Sequence, residues 1–256
     1  MIYPFTSYLK FLATSTNQHG VHSPFVYKLL TQCFYNRSFY PAYDILSTHR
    51  KALLSDDSTI SVTDLGAGSR VFKSDLRKVS AIARHAGMSR KRQKLLYRLS
   101  RFHQPSSILE LGTSLGLSTL AMALGNEHSR ITTLEGCQAT AGKAKEYFKA
   151  FEIENVDLLT TDFDTYLSNC DETFDLIYVD GNHTERDTLG YFELLQKCIH
   201  NNSIVILDDI HWSREMHAAW KQIIANEQVT VSIDTFQWGL IFFRKEQKKQ
   251  DFKIRV

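Results

Sequence analysis

From Ser106 onward, short apolar runs alternate with stretches whose apolar residues recur every three or four positions. SSILEL (106–111), RITTLE (130–135), NVDLLTTD (155–162), FDLIYVD (174–180) and SIVILDD (203–209) read as strands. Between them, LGLSTLAMAL (115–124) is helix-like, and Ala141, Ala144, Phe148 and Phe151 step at helical spacing. Leu189, Phe192, Leu195 and Ile199 do the same over 185–200, and Trp212, Met216, Ala219, Trp220 and Ile223 line one face of a further helix. VTVSID (229–234) and GLIFFR (239–244), four residues apart, close the series as an antiparallel pair. Strands this uniformly apolar need helices over both faces of a mostly parallel sheet. The pattern therefore predicts an α/β fold with a seven-stranded, mostly parallel sheet. Ligands on such a sheet lie beyond the carboxyl ends of the strands.

The preceding residues have another texture. Eleven of the 30 aromatics fall between Tyr3 and Tyr43. Phe5, Tyr8, Leu9, Phe11 and Leu12 suggest a short amphipathic helix, and Val26 to Phe34 another. We divide the chain into a helical extension (1–88) and a main domain (89–256). The extension reads first as added core, then as a lid or as the interface of a homodimer. His19 and His22 are expected to be structural. Residues 76–109 hold nine Lys or Arg and no acid. Leu95, Leu99 and Phe102 make this stretch a helix with a buried stripe and a solvated basic face. It shows no interleaved aromatics of the kind that bind single-stranded RNA.

Composition narrows the options. With 43% hydrophobic and 23% charged residues, the chain of 256 is neither disordered nor low in complexity. No apolar run approaches the roughly 18 residues of a membrane span, and the first residues do not read as a signal peptide. Cys33, Cys137, Cys170 and Cys198 form no CxxC, which disfavours a disulfide framework or Cys-based zinc and fits a reducing cytoplasm. A net charge of +2 does not by itself imply nucleic acid, and a small molecule is the expected partner.

The strand ends carry the candidate chemistry. The first reads Glu110-Leu-Gly112-Thr113-Ser114-Leu-Gly116-Leu-Ser118. Glycines let such a turn approach a ligand, and the helix that follows offers N–H groups to an anion. Ser114 and Leu117 stand where a dinucleotide fingerprint needs glycine, so a smaller anion, such as an amino-acid carboxylate, fits better. The next strand ends in Glu135-Gly136, 23 residues beyond Gly112, where an acid can accept both ribose hydroxyls. Asp162-Phe163 ends the third, an acid for an adenine amino group beside a ring that could stack on the base. Anion, ribose and adenine without pyrophosphate describe S-adenosylmethionine. A second glycine turn, Asp64-Leu-Gly66-Ala-Gly68-Ser69, has no acid-ending strand at the right distance and reads as a loop.

These residues resemble the class I S-adenosylmethionine-dependent methyltransferases, which have a Rossmann-like seven-stranded sheet. The pattern E-L-G-x-x-x-G-x-S is most similar to the catechol O-methyltransferase-type enzymes and to a bacterial small-molecule branch with a D-G-x-H motif. The resemblance covers roughly residues 89 to 245. It implies that Glu110, Gly112 and Gly116, with Thr113 and Ser114 of the same turn, shape the methionine pocket. It gives Ser118 the carboxylate, Glu135 and Gly136 the ribose, and Asp162 and Phe163 the adenine.

The fourth strand ends in Asp180-Gly181-Asn182-His183 and the fifth in Asp208-Asp209-Ile210-His211. Three carboxylates at adjacent strand ends repel unless protonated, hydrogen-bonded or bound to a cation, and hard oxygens suit magnesium or calcium. The catechol-type enzymes place Asp and then Asp-Asn on one divalent cation. Asp180, Asp208 and Asp209 match, with Asp in place of Asn. Asp180 could instead contact the methionine amine. Where those enzymes carry a lysine base, this chain has His183, whose ordinary pKa suits a general base near neutrality. The alternative is that His183 caps a helix or pairs with an acid. His211 is a weaker candidate, with Trp212 and Trp238 as possible pocket walls. The absence of Pro-Pro after VDGNH disfavours amino-group methylation of bases, and Cys170 is poorly placed for cytosine carbon methylation. Oxygen remains as the acceptor. An RNA methyltransferase using the basic 84–101 helix and a non-catalytic cofactor-binding protein are the alternatives.

Overall fold

A computed structural model describes residues 2–63 and 74–256 of the protein. The Asp64–Ser69 turn lies outside the described residues. The chain divides into two compact units, residues 36–163 and residues 1–35 with 164–256.

The 36–163 unit opens with the helix Ala42–Ser55 and a short antiparallel hairpin of β1 (Thr59–Ser61) and β2 (Leu76–Lys78). The helices Val79–His85 and Arg90–His103 lead into three parallel strands, β3 (Ser107–Leu111), β4 (Arg130–Glu135) and β5 (Val156–Thr160), ordered β3-β4-β5. Helices Leu117–Gly125 and Gln138–Ala150 make the crossovers. β3 and β4 are buried along nearly their whole length, as strands covered on both faces must be. Close helix packing explains Gly125: a Cβ there would run into the Ser100 side chain and the Tyr97 carbonyl of the Arg90–His103 helix. His49 lies fully buried in this unit, its ring edge-on to Tyr147 and Phe151.

The other unit holds β6 (Leu176–Val179), β7 (Ile204–Leu207), β8 (Val231–Asp234), β9 (Gly239–Phe242) and β10 (Gln250–Lys253), ordered β10-β8-β9-β7-β6. β6 and β7 are parallel and β8–β9 is the expected antiparallel pair. The fold is therefore α/β with mostly parallel strands, three in one unit, apart from the β1–β2 hairpin, and five in the other. The eighth strand, β10, was not expected. Its sequence QDFK is polar and largely exposed, so it carries no hydrophobic signature, yet it runs parallel to β8.

The first 35 residues belong to this second unit. Thr16 bridges Ile254: its N–H donates to the Lys253 carbonyl at 2.8 Å and its carbonyl accepts the Arg255 N–H at 3.1 Å. Val26, Leu29, Leu30, Cys33 and Phe34 are buried core. The expected helix 26–34 begins at Pro24, capped by Ser23, and widens into a π turn over Leu30–Phe34. In the first helix, Ile2–Thr14, Phe11 points inward while Phe5, Tyr8, Leu9 and Leu12 are exposed. Among the described residues no helix is long and apolar enough to cross a membrane.

Candidate active site

The turn after β3 is folded back on β4. The N–H groups of Gly112 and Thr113 both donate to the Leu134 carbonyl at 3.0 Å. Gly112 (φ 105°), Ser114 (φ 47°) and Gly116 (φ 77°) take left-handed backbone angles, which glycine adopts without strain and serine does not. Ser114 is compensated: its N–H donates to Glu135 Oε2 at 2.9 Å. Glu135 Oε1 accepts the Cys137 N–H at 2.9 Å, so both oxygens are fixed and the half-buried carboxylate is held at the end of β4. Beneath the turn lies a buried polar network. The Thr119 and Thr133 hydroxyls donate to Glu110 Oε2, and Thr113 Oγ1 donates in turn to Thr133 Oγ1 at 2.6 Å. Glu110 is fully buried, so it shapes the turn from below. Ser118 is the second residue of the Leu117–Gly125 helix and is buried. Half-buried Gly136 follows Glu135; exposed Asp162 and half-buried Phe163 follow β5 at the start of the helix Phe163–Ser168.

This donor set fits S-adenosylmethionine. A left-handed glycine turn opens a helix N-terminus to an anion, and an oriented carboxylate stands one strand away. The structure brings Gly112, Thr113, Ser114 and Glu135 into one hydrogen-bonded assembly.

In the other unit, Asp180 directly follows β6 and Asp208 directly follows β7. Asn182 (φ 60°), His183 (φ 37°) and Asp209 (φ 54°) are all left-handed, a concentration of strained positions typical of functional sites. His183 Nε2 lies 3.5 Å from Asp180 Oδ1. Burial pushes the imidazole pKa down, but the Asp180 hydrogen bond and the charges of Asp180, Asp209 and Asp208 outweigh it and raise the value to about 9. The expected near-neutral histidine is thus an imidazolium at neutral pH.

Sequence reasoning missed Tyr178. Its hydroxyl donates to Asp208 Oδ2 at 2.9 Å and lies 3.5 Å from Asp180 Oδ2. Inside an apolar strand a tyrosine reads as core, and its ring is indeed buried edge-on to Trp238. The available signal was its position two residues before Asp180, on the same face of the strand. Asp208 Oδ1 accepts the Asp209 N–H at 2.8 Å. Hydrogen bonding is therefore one way this cluster relieves its repulsion. Among the described residues, no group of three or more His, Cys, Asp or Glu is placed to hold a metal ion. As placed, Asp180, Asp208 and Asp209 do not form such a group.

His211 is buried, with Nδ1 2.7 Å from Ser7 Oγ and Nε2 2.9 Å from Asp234 Oδ2. It stacks on Phe236 and His217, and so fastens the first helix to the β8–β9 loop. Trp238 is interior and Trp212 is exposed.

Residues 109–210 match the model of a family described as a methyltransferase domain. The S-adenosylhomocysteine-bound methyltransferase PaMTH1 of Podospora anserina superposes with a TM-score of 0.64 at 18% identity, over 88% of this chain and 97% of that one. An O-methyltransferase of Bacillus cereus in complex with S-adenosylhomocysteine gives 0.55 at 17%, over 83% and 94%. The O-methyltransferase TomG of Streptomyces achromogenes, involved in tomaymycin synthesis, gives 0.55 at 18%, over 90% and 99%. No match to the chain is found among curated proteins.

Proposed function

We propose that this chain, an S-adenosylmethionine-dependent methyltransferase of the class I fold, transfers a methyl group to an oxygen of a small hydroxylated molecule. S-adenosylmethionine supplies the methyl group and, until transfer, a positive sulfonium. Gly112, Thr113, Ser114, Gly116 and Ser118, shaped from below by Glu110, take the methionine part. Glu135 and Gly136 take the ribose, and Asp162 and Phe163 the adenine. His183 removes the acceptor proton, held in place by Asp180. A base of pKa about 9 is well matched to a phenolic hydroxyl, whose ordinary pKa is about 10. Such a base works only in the small deprotonated fraction at neutral pH, so turnover climbs as the medium becomes alkaline. The fold neighbours described as O-methyltransferases support oxygen as the acceptor.

The His183–Asp180 pair carries this reading, because it sets a protonatable group at a strand end among carboxylates. The experiment is calorimetry with S-adenosylhomocysteine, followed by turnover on a panel of phenols, catechols and sugar hydroxyls. Binding without turnover of any member sinks the O-methyl transfer reading. Failure to bind sinks the cofactor assignment.

A further inference from the structure

We propose that the face made by the helix Arg90–His103 and the segment 37–43 is a docking surface for single-stranded nucleic acid. The helix presents Arg90, Lys91, Lys94, Arg98 and Arg101. At 3.6 residues per turn these five positions fall within an arc of about 100° and run along about 17 Å of helix. Four of them are exposed and Arg98 is half-buried.

Tyr97 of the helix is buried and Phe102 half-buried; other aromatics reach its basic face from about 50 residues away in sequence. Lys94 Nζ lies 4.6 Å from the centre of the Tyr43 ring, and the Arg101 guanidinium lies 5.2 Å from that of Tyr40. Arg98 Nη1 donates to the Tyr43 hydroxyl at 3.1 Å. Phe39, 66% exposed, stands edge-on to Tyr43 with centroids 6.0 Å apart. Arg37, next but one to Phe39, is exposed as well. The only acid between residues 36 and 55 is Asp44.

Two kinds of platform result. Phe39 offers a bare ring, and Arg101, laid over Tyr40, offers a guanidinium plane backed by an aromatic. Both are surfaces on which unpaired bases stack, and the surrounding cations match the phosphates between them. A membrane surface fits less well, because Phe39 is flanked by Arg37, Ser38 and Asn36 and no apolar face accompanies the charge. An acidic peptide would satisfy the cations and leave the ring planes unused.

The test is fluorescence anisotropy of the full chain with a labelled single-stranded RNA dodecamer. The same strand as a duplex, polyglutamate and phosphatidylserine vesicles serve as competitors. We expect binding that weakens with salt at a log–log slope of about −2 to −3.5, for three to five neutralised phosphates. Phe39→Ala should cost about 5- to 150-fold at an unchanged slope, the worth of one stacked base. Lys94→Ala should reduce the magnitude of the slope by about 0.7, one phosphate contact on a single strand. Arg101→Lys should keep the slope and lose affinity, because it keeps the charge and removes the plane. Circular dichroism checks that each variant is folded. Binding independent of salt, binding indifferent to Phe39, or preferential capture by duplex, peptide or vesicles would each overturn the proposal. Neither cofactor nor turnover enters the readout, so the result is separate from the methyltransferase assignment.

Discussion

His183 Nε2 lies 3.5 Å from Asp180 Oδ1, and this pairing, with the charges of Asp209 and Asp208, overcomes burial and turns a histidine that ordinarily titrates near neutrality into one that holds its proton to about pH 9. As a base, His183 must lose that proton. We therefore expect kcat/KM to rise with pH up to about 9, and that limb to vanish in His183→Ala. The variant should lose about 100-fold or more in turnover, within the range for a general base. Its affinity for S-adenosylhomocysteine should be nearly unchanged. A limb that persists in the variant would remove His183 from the proton transfer.

Glu135 is fixed by two backbone N–H groups and assigned to the ribose. Glu135→Ala should weaken S-adenosylhomocysteine binding by about 10- to 150-fold, the worth of hydrogen bonds to a charged group. Calorimetry reads this directly. Unchanged affinity would place the ribose elsewhere.

Tyr178→Phe removes the hydroxyl that donates to buried Asp208. Taking one donor from a buried carboxylate should cost about 1–3 kcal/mol of stability. Urea unfolding checks this, and a change below about 0.5 kcal/mol would mean that the bond is replaced by solvent.

The hydrogen-bonded state of Asp208 leads us to expect turnover to survive chelation. Assays in EDTA, with and without added magnesium, decide the matter. Activity abolished by EDTA and restored by magnesium would return Asp180, Asp208 and Asp209 to the role of cation ligands.

His49 is fully buried, and neither ring nitrogen has a partner among the described residues. Burial, helped by the neighbouring Arg50 charge, lowers its pKa to about 4. The unfolded chain then binds a proton that the folded chain refuses between pH 6.5 and about 4. The stability from this group is present in full above pH 6.5 and is lost as pH falls through that window, by up to about 3 kcal/mol. His49→Leu should flatten this part of the stability profile and leave the protein more stable at pH 5. Thermal unfolding from pH 4 to 8 measures both.

Hydrophobic periodicity made the strands from Ser106 to Phe242 legible, together with the acids and glycines at their ends, because burial on both faces leaves a local signature. β10 left none: Gln250, Asp251 and Lys253 are exposed, and only Phe252 is half-buried. The state of His183 was equally hidden, since its pKa depends on carboxylates from two strand ends brought together by folding. The threonine network under the glycine turn showed only as polar letters in apolar runs. The basic face of the helix read as purely charged because Tyr40 and Tyr43 belong to a distant stretch of sequence.

The bridge between Thr16 and Ile254 bears on how the protein is made. Residues 36–163 are contiguous and have their own core, so this unit can form its internal contacts once its last strand leaves the ribosome. The first 35 residues are synthesised earlier, yet their partners are among the last to emerge. Val26, Leu29 and Phe34 must wait, apolar and uncovered, for most of translation. That interval is when the nascent chain is most open to aggregation or to a chaperone, and slowing elongation after residue 163 would lengthen it.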